Sequence, residues 1–323
     1  MVGQRAAPGV GAAKTSRRFE LAEDEYPAAR SWWIHGERRP RAAGRASSVA
    51  LVRDGRDGVE TLLRHRPGPS ALGRLAFPGG PLAETDDDAC TWFGPEPAQW
   101  SRVLGVGDHR LARRHLTGAV RTLFDESGIL LAGPDGHSVV PDPGGGEWAE
   151  ARRALRRQEI GLPDLVDRRG YGLRTDLLRA VGRWSSPHFS HRRLDTQYFA
   201  AAVPYGQGVS DPEGMDSWSG WVSARRVVAG RDTTRLGDRV GAPDTAGRTL
   251  GALVVPAVEL LLERMATAGS TVEFLMGLTV RGGVPHHTPE LQGSPVGAGG
   301  AGPDGGGFSL VVDLPRERGR PAR

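Results

Sequence analysis

The chain is short of several residue types, and each shortage narrows what it can be. It holds one cysteine, Cys90, in 323 residues, so no internal disulfide is open to it and a reducing, cytoplasmic setting is expected. It holds one lysine, Lys14, among 42 basic residues, so its net charge of +4 and its pI of about 9.8 come from arginine. With 47 Gly and 24 Pro, that bias reads as the mark of a GC-rich gene. No zinc-finger spacing or RNA-binding signature accompanies it, so nucleic acid is not the expected partner. No apolar run reaches the length of a membrane span, and residues 1–29 lack the apolar core of a secretory signal. No Gly-x-Ser-x-Gly nucleophile turn is present. His188, His191, His286 and His287 lack partners at zinc spacing and read as surface or pocket groups, while Cys90 reads as an inert thiol.

What is present describes an α+β protein. An apolar content of 38% is enough for a full core. Residues 47–53 and 59–64 read as two strands around a turn, and 194–203 as a third. Between Leu111 and Ser127 the apolar residues Leu116, Val120, Leu123 and Phe124 recur at helical spacing, and Gly128 reads as the stop. Helices are also expected at 148–158 and 257–265, with a short one at 176–181. The pairs Arg152-Arg153 and Arg156-Arg157 read as a solvated helix face. In this reading 1–45 is a basic, flexible arm and 46–269 a single domain carrying an insertion at 87–109. Residues 270–323 form a Gly/Pro-rich extension whose run 308–314 is a strand able to dock back.

Two fragments carry the chemistry: Phe77-Pro78-Gly79-Gly80, and Arg121-Thr122-Leu123-Phe124-Asp125-Glu126-Ser127-Gly128. On a helix Thr122 and Glu126 share a face with Asp125 beside them, so two carboxylates can address one cation. The plainer alternative is an i,i+4 ion pair between Arg121 and Asp125, with Glu126 as ordinary surface.

Taken together the fragments resemble the box of the Nudix hydrolases: Gly, five residues, Glu, seven residues, then Arg-Glu-apolar-x-Glu-Glu-x-Gly. Gly80 is the first Gly and Asp86 stands for the first Glu, but 34 residues then separate Asp86 from Arg121, and Thr122 stands where the family carries Glu. The approach through Leu62-Leu63-Arg64-His65-Arg66 resembles the coenzyme A diphosphatase branch. Trp92-Phe93-Gly94-Pro95, Trp100, Trp184-Ser185-Ser186-Pro187 and Arg193-Leu194-Asp195-Thr196-Gln197-Tyr198-Phe199 resemble a larger subgroup that includes peroxisomal coenzyme A diphosphatases and actinobacterial proteins.

The resemblance implies a mixed sheet sandwiched between helices, with a Trp-containing insertion inside the box. It implies hydrolysis of a small nucleoside-diphosphate derivative, coenzyme A or acyl-coenzyme A favoured, with Mg²⁺ or Mn²⁺ as cofactor. Glu126, Asp125 and the Gly80 carbonyl would hold the metal, with Glu213 as an added carboxylate and Asp216 as its neighbour in that role. Arg121 would orient the cluster, and Arg64, Arg66, Phe77 and Gly79 would meet the substrate. A homodimer is common in the family. Thr122 opens the second expectation, a fold that binds a nucleotide or coenzyme A as a sensor without turning it over.

Overall fold

Residues 49–52 alternate between two apolar surroundings, Val49 and Leu51 on one side and Ala50 and Val52 on the other, and that period of two makes a strand buried on both faces. The computed structural model describes residues 14–36, 39–212, 217–278, 283–293 and 307–315. It opens with β1 (Lys14–Glu20) and α1 (Tyr26–His35), followed by the hairpin β2 (Gly44–Gly55) and β3 (Gly58–His65). Short strands β4 (Leu75–Ala76) and β5 (Gly79–Pro81) pair with β3 and β2, and β6 (Trp92–Phe93) and α2 (Pro97–Leu104) precede the long α3 (His109–Ser127). Next come β7 (Ala132–Gly133), α4 (Gly146–Arg156), β8 (Gly172–Arg174), β9 (Arg179–Ser185), β10 (Leu194–Ala202) and β11 (Ser219–Ser223). The helix Pro256–Thr267 and strands β12 (His286–His287), β13 (Glu290–Gln292) and β14 (Ser309–Pro315) complete the frame.

The central sheet runs β11-β3-β2-β10-β9-β12, with β2 parallel to β10 and β9 parallel to β12, and its other neighbours antiparallel. Helix α3 covers one face, packing Leu116, Val120, Leu123 and Phe124 with Val49, Leu51, Leu62 and Phe199. The helix Pro256–Thr267 covers the other, packing Val258, Leu261, Leu262 and Met265 with Ala50, Val52, Leu63 and Tyr198. This is the expected α+β sandwich of a mixed sheet between helices. No helix among the described residues is long and apolar enough to cross a membrane.

Three sequence expectations need correction. Within 1–45, residues 14–20 pair along their whole length with β14, and α1 helps bury Phe19, Leu21, Phe308, Leu310 and Val312, so this stretch is an integral layer rather than an arm. Residues 176–181 are no helix: a 3-10 turn at Thr175–Leu177 leads into β9, whose pairing with β10 outweighs local propensity. Part of the Gly/Pro-rich stretch 282–307 is structured, since β12 pairs with β9 and β13 with β14. The aromatic segment 87–109 packs into the core, with Trp100 and Leu104 of α2 buried and β6 paired with β8.

Candidate active site

Helix α3 begins where Asp108 accepts a hydrogen bond from the Arg110 N–H at 2.8 Å, and ends at Gly128, whose φ of 74° favours glycine. Its last two turns face the glycine turn. The Pro78 carbonyl accepts from Val49 N at 2.8 Å, and Gly79 and Gly80 lie opposite Ser48 and Ser47 of β2. A side chain at Gly79 would come within 2.8 Å of the Ser47 carbonyl and the Ser48 Cα, so the close approach of β5 to β2 requires glycine there. Gly80 is freer: a Cβ would meet only the Thr122 methyl, at 3.5 Å.

The first half of the box is an ion pair. Arg121 donates from Nε and Nη2 to the two oxygens of Asp86 at 2.7 and 2.9 Å, and from Nη2 to the Pro81 carbonyl at 2.9 Å. Asp86 is wholly buried and also accepts from Ala83 N at 2.8 Å. Arg121 therefore binds α3 to the segment after the glycine turn, and the alternative Arg121–Asp125 pair is replaced by this one.

The second half is arranged differently. Glu126 accepts from Arg66 Nη2 at 2.9 and 2.8 Å and from the Gly79 N–H at 3.2 Å, with Arg64 Nε 4.0 Å away. Burial pushes its carboxyl above the ordinary value, opposed by Arg66, Arg64 and the Gly79 N–H. Arg66 also donates to the Gly79 carbonyl at 2.7 Å and the Phe77 carbonyl at 3.4 Å. Phe77 itself is fully buried against the far helical layer, so its carbonyl rather than its ring borders the site. Arg64 is 2% exposed and donates to the Glu126 carbonyl at 2.5 Å and to Asp211 at 3.0 Å. Arg64 Nη2 and Arg66 Nε are buried without an acceptor among the described residues, donors that a phosphate oxygen would satisfy.

Asp125 turns elsewhere: its carboxylate accepts from Arg156 Nε at 3.0 Å, and its carbonyl from Arg152 Nη2 at 2.9 Å. Thr122 is buried and donates its hydroxyl to the Gly118 and Ala119 carbonyls of its own helix at 2.8 and 3.3 Å. The three box positions that could carry carboxylates thus point to three different partners. Among the described residues no group of three or more His, Cys, Asp or Glu side chains is placed to hold a metal ion. Of the two helix carboxylates only Glu126 faces the glycine turn, so these residues do not fit a multi-carboxylate cluster, and a divalent ion at Glu126 would need substrate phosphates and water for its remaining ligands. Asp125 stands outside that set, and Glu213 and Asp216 lie outside the described residues.

Two features of the site were missed in the sequence. Asp211 belongs to a loop pinned to the end of α3: Gln207 accepts from Leu130 N at 2.9 Å and donates to the Val140 carbonyl at 2.8 Å, and Ser210 N donates to the Ser127 carbonyl at 2.9 Å. Arg152, read as solvated, is 6% exposed and lies over the Phe124 ring, its guanidinium carbon 5.8 Å from the centroid. The spacing of buried Ala151, Arg152 and Leu155 on one face of α4 was the available signal. Other readings of polar residues come out plainly. His287 packs on Trp184 at 4.6 Å, and burial pushes the Cys90 thiol up to about 12.

A glycine turn against the last turns of a long helix, on a mixed sheet between two helical layers, is the arrangement of a Nudix fold. No family model matches the sequence, and no curated protein does. Among solved structures, the fold is similar to a Nudix hydrolase from Alicyclobacillus acidocaldarius, 18% identical, with 74% of this chain and 96% of that one covered and a TM-score of 0.54. The mutator MutT protein from Bacillus halodurans also matches, 11% identical over 76% of this chain and 89% of that one, with a TM-score of 0.32. So does the Nudix domain of Shewanella oneidensis NrtR, solved with ADP ribose: 13% identical, 59% and 80% covered, TM-score 0.29. At scores this low the last two carry no weight; the first supports the fold.

Proposed function

We propose that this chain hydrolyses the pyrophosphate bond of a nucleoside-diphosphate-linked compound, with coenzyme A or an acyl-coenzyme A first among them. The observation that carries the reading is the convergence on Glu126 of the Gly79 N–H and the Arg66 guanidinium, with Arg64 alongside and buried donors of both arginines still unmet. Guanidinium forks match carboxylate and phosphate oxygens, and two of them side by side suit the adjoining phosphates of a pyrophosphate. In the reading, Arg64 and Arg66 hold the phosphates and the glycine turn lets them approach the backbone. Arg121, through Asp86, fixes α3 against that turn. When bound, Mg²⁺ or Mn²⁺ would be held by Glu126 and would supply neutralisation of phosphate charge and activation of water. The coenzyme A preference is supported by the sequence resemblance alone.

The test is product release from coenzyme A, acyl-coenzyme A, NADH and ADP-sugars with Mg²⁺ or Mn²⁺, on wild type and Glu126→Gln. The expected outcome is turnover in wild type and a loss of about 10²-fold or more in the variant. Equal rates would remove Glu126 from the reaction. The second reading, binding without turnover, is favoured by Thr122, which offers no charge and whose hydroxyl is spent on its own helix. That reading predicts tight binding by calorimetry with no product from any compound in the panel.

A further inference from the structure

Arg66 stands where regular structure gives out. Strand β3 ends at His65, and the loop that follows carries Pro67, Gly68, Pro69 and Gly73, so two of its residues have no N–H to donate and two add backbone freedom. The side-chain hydrogen bonds of Arg66 to Glu126 and to the Gly79 and Phe77 carbonyls all run from one nitrogen, Nη2. A single nitrogen does not fix the plane of the fork, so where the guanidinium lies depends on how the backbone around it is held.

A carboxylate from a remote segment holds that backbone. Arg64 and Arg66 reach toward Glu126, so His65 between them faces the other way. There His65 Nε2 donates to Asp244 Oδ1 at 2.8 Å. The Asp244 carboxylate also accepts from the Gly68 N–H, and its Oδ2 lies 4.0 Å from Arg74 Nε. The Arg74 carbonyl in turn accepts the Arg66 N–H at 2.8 Å. Residues 65, 68 and 74 bracket Arg66, and Asp244 meets all three. Its own base is firm, because the adjoining Thr245 is wholly buried with its hydroxyl 3.1 Å from the Gly237 and Ala242 carbonyls. Burial works to raise the Asp244 carboxyl, but His65 and the Gly68 N–H outweigh it and hold it below the ordinary value. The side chain is 30% exposed, so it fills no core position. We propose that Asp244 is a positioning residue for the phosphate-binding arginine, setting the place of Arg66 through His65, Gly68 and Arg74. This inference rests on the pyrophosphate reading for what Arg66 meets, but not for the clamp itself.

The experiment pairs two readouts on the full chain. The first is the NMR order parameter of the Arg66 Nε–H without ligand; the second is the calorimetric affinity for inorganic pyrophosphate. In Asp244→Ser, too short to reach His65, the order parameter is expected to fall from the rigid range, about 0.85, to below about 0.6. Pyrophosphate is expected to bind about tenfold more weakly or worse. Asp244→Asn, which keeps an acceptor for His65, should restore both. Because Asp244 acts through Arg66, the double variant Asp244→Ser, Arg66→Ala should bind no more weakly than Arg66→Ala alone. If Asp244→Ser does not fold, His65→Leu removes the same bond from its other end and is read in the same way. An unchanged order parameter in the folded variant, or losses of affinity that add in the double variant, overturns the positioning role. Loss of Arg66 order in a protein whose wild type has no affinity for pyrophosphate supports the clamp and sinks the pyrophosphate reading instead.

Discussion

The two ends of the box segment hold their acids in opposite ways. Asp86 is sealed from solvent and gripped by both arms of one guanidinium, whereas Glu126 is shared between Arg66, Arg64 and a backbone N–H, with donors to spare. The first arrangement is saturated; the second has capacity left for a ligand. The difference teaches that charged residues of one motif divide between holding the helix in place and meeting what binds, and hydrogen-bond saturation tells them apart.

Asp86→Ala leaves Arg121 facing a dry pocket and is expected to cost about 3 to 5 kcal/mol in urea unfolding. Glu126→Gln, keeping shape and some hydrogen bonds, is expected to cost about 1 kcal/mol or less while removing function. Equal losses would erase the division. An acid-sensitive group lies earlier on α3. His115 is buried against Ser47, its Nδ1 3.1 Å from the hydroxyl, and burial pushes its pKa down to about 4. The folded state then binds fewer protons than the unfolded chain below the ordinary histidine value. Stability is full above about pH 6.5 and falls toward pH 4, by about 3 kcal/mol in total. Unfolding curves across that window should show the slope, and His115→Asn should flatten it.

Smaller effects sharpen the contrast between the adjacent glycines. Gly79→Ala drives a methyl into the β2 backbone and is expected to destabilise by about 1 to 3 kcal/mol. Gly80→Ala meets one methyl at contact distance and is expected to stay within about 0.5 kcal/mol, with thermal melts separating the two.

The fold was legible where periodicity was strong. The apolar spacing of Leu116, Val120, Leu123 and Phe124 marked α3, and the β-forming runs 47–53 and 59–64 marked the hairpin of β2 and β3. The site was legible as a frame: Arg121, Glu126 and the glycine turn do meet at one end of α3. Partner choice was not legible. Nothing local tells that Arg121 takes Asp86, 35 residues away, over Asp125, four away, because that is decided by burial across the sheet. Asp211 escaped notice because its place depends on Gln207 bridging Leu130 and Val140, contacts some 70 residues apart in sequence. Arginine-rich runs read as solvent-facing because charge dominates any sequence average, and the buried face of α4 shows only in its spacing.

The pairing of β1 with β14 joins residues 14–20 to 309–315, far apart in sequence. During synthesis the central sheet can assemble while Phe19 and Leu21 still lack Phe308, Leu310 and Val312. The last layer therefore closes only once β14 has been made, and a stop between the helix Pro256–Thr267 and β14 leaves a sticky strand edge and an uncovered apolar patch beside a central sheet that already has its strands β2, β3 and β9–β11.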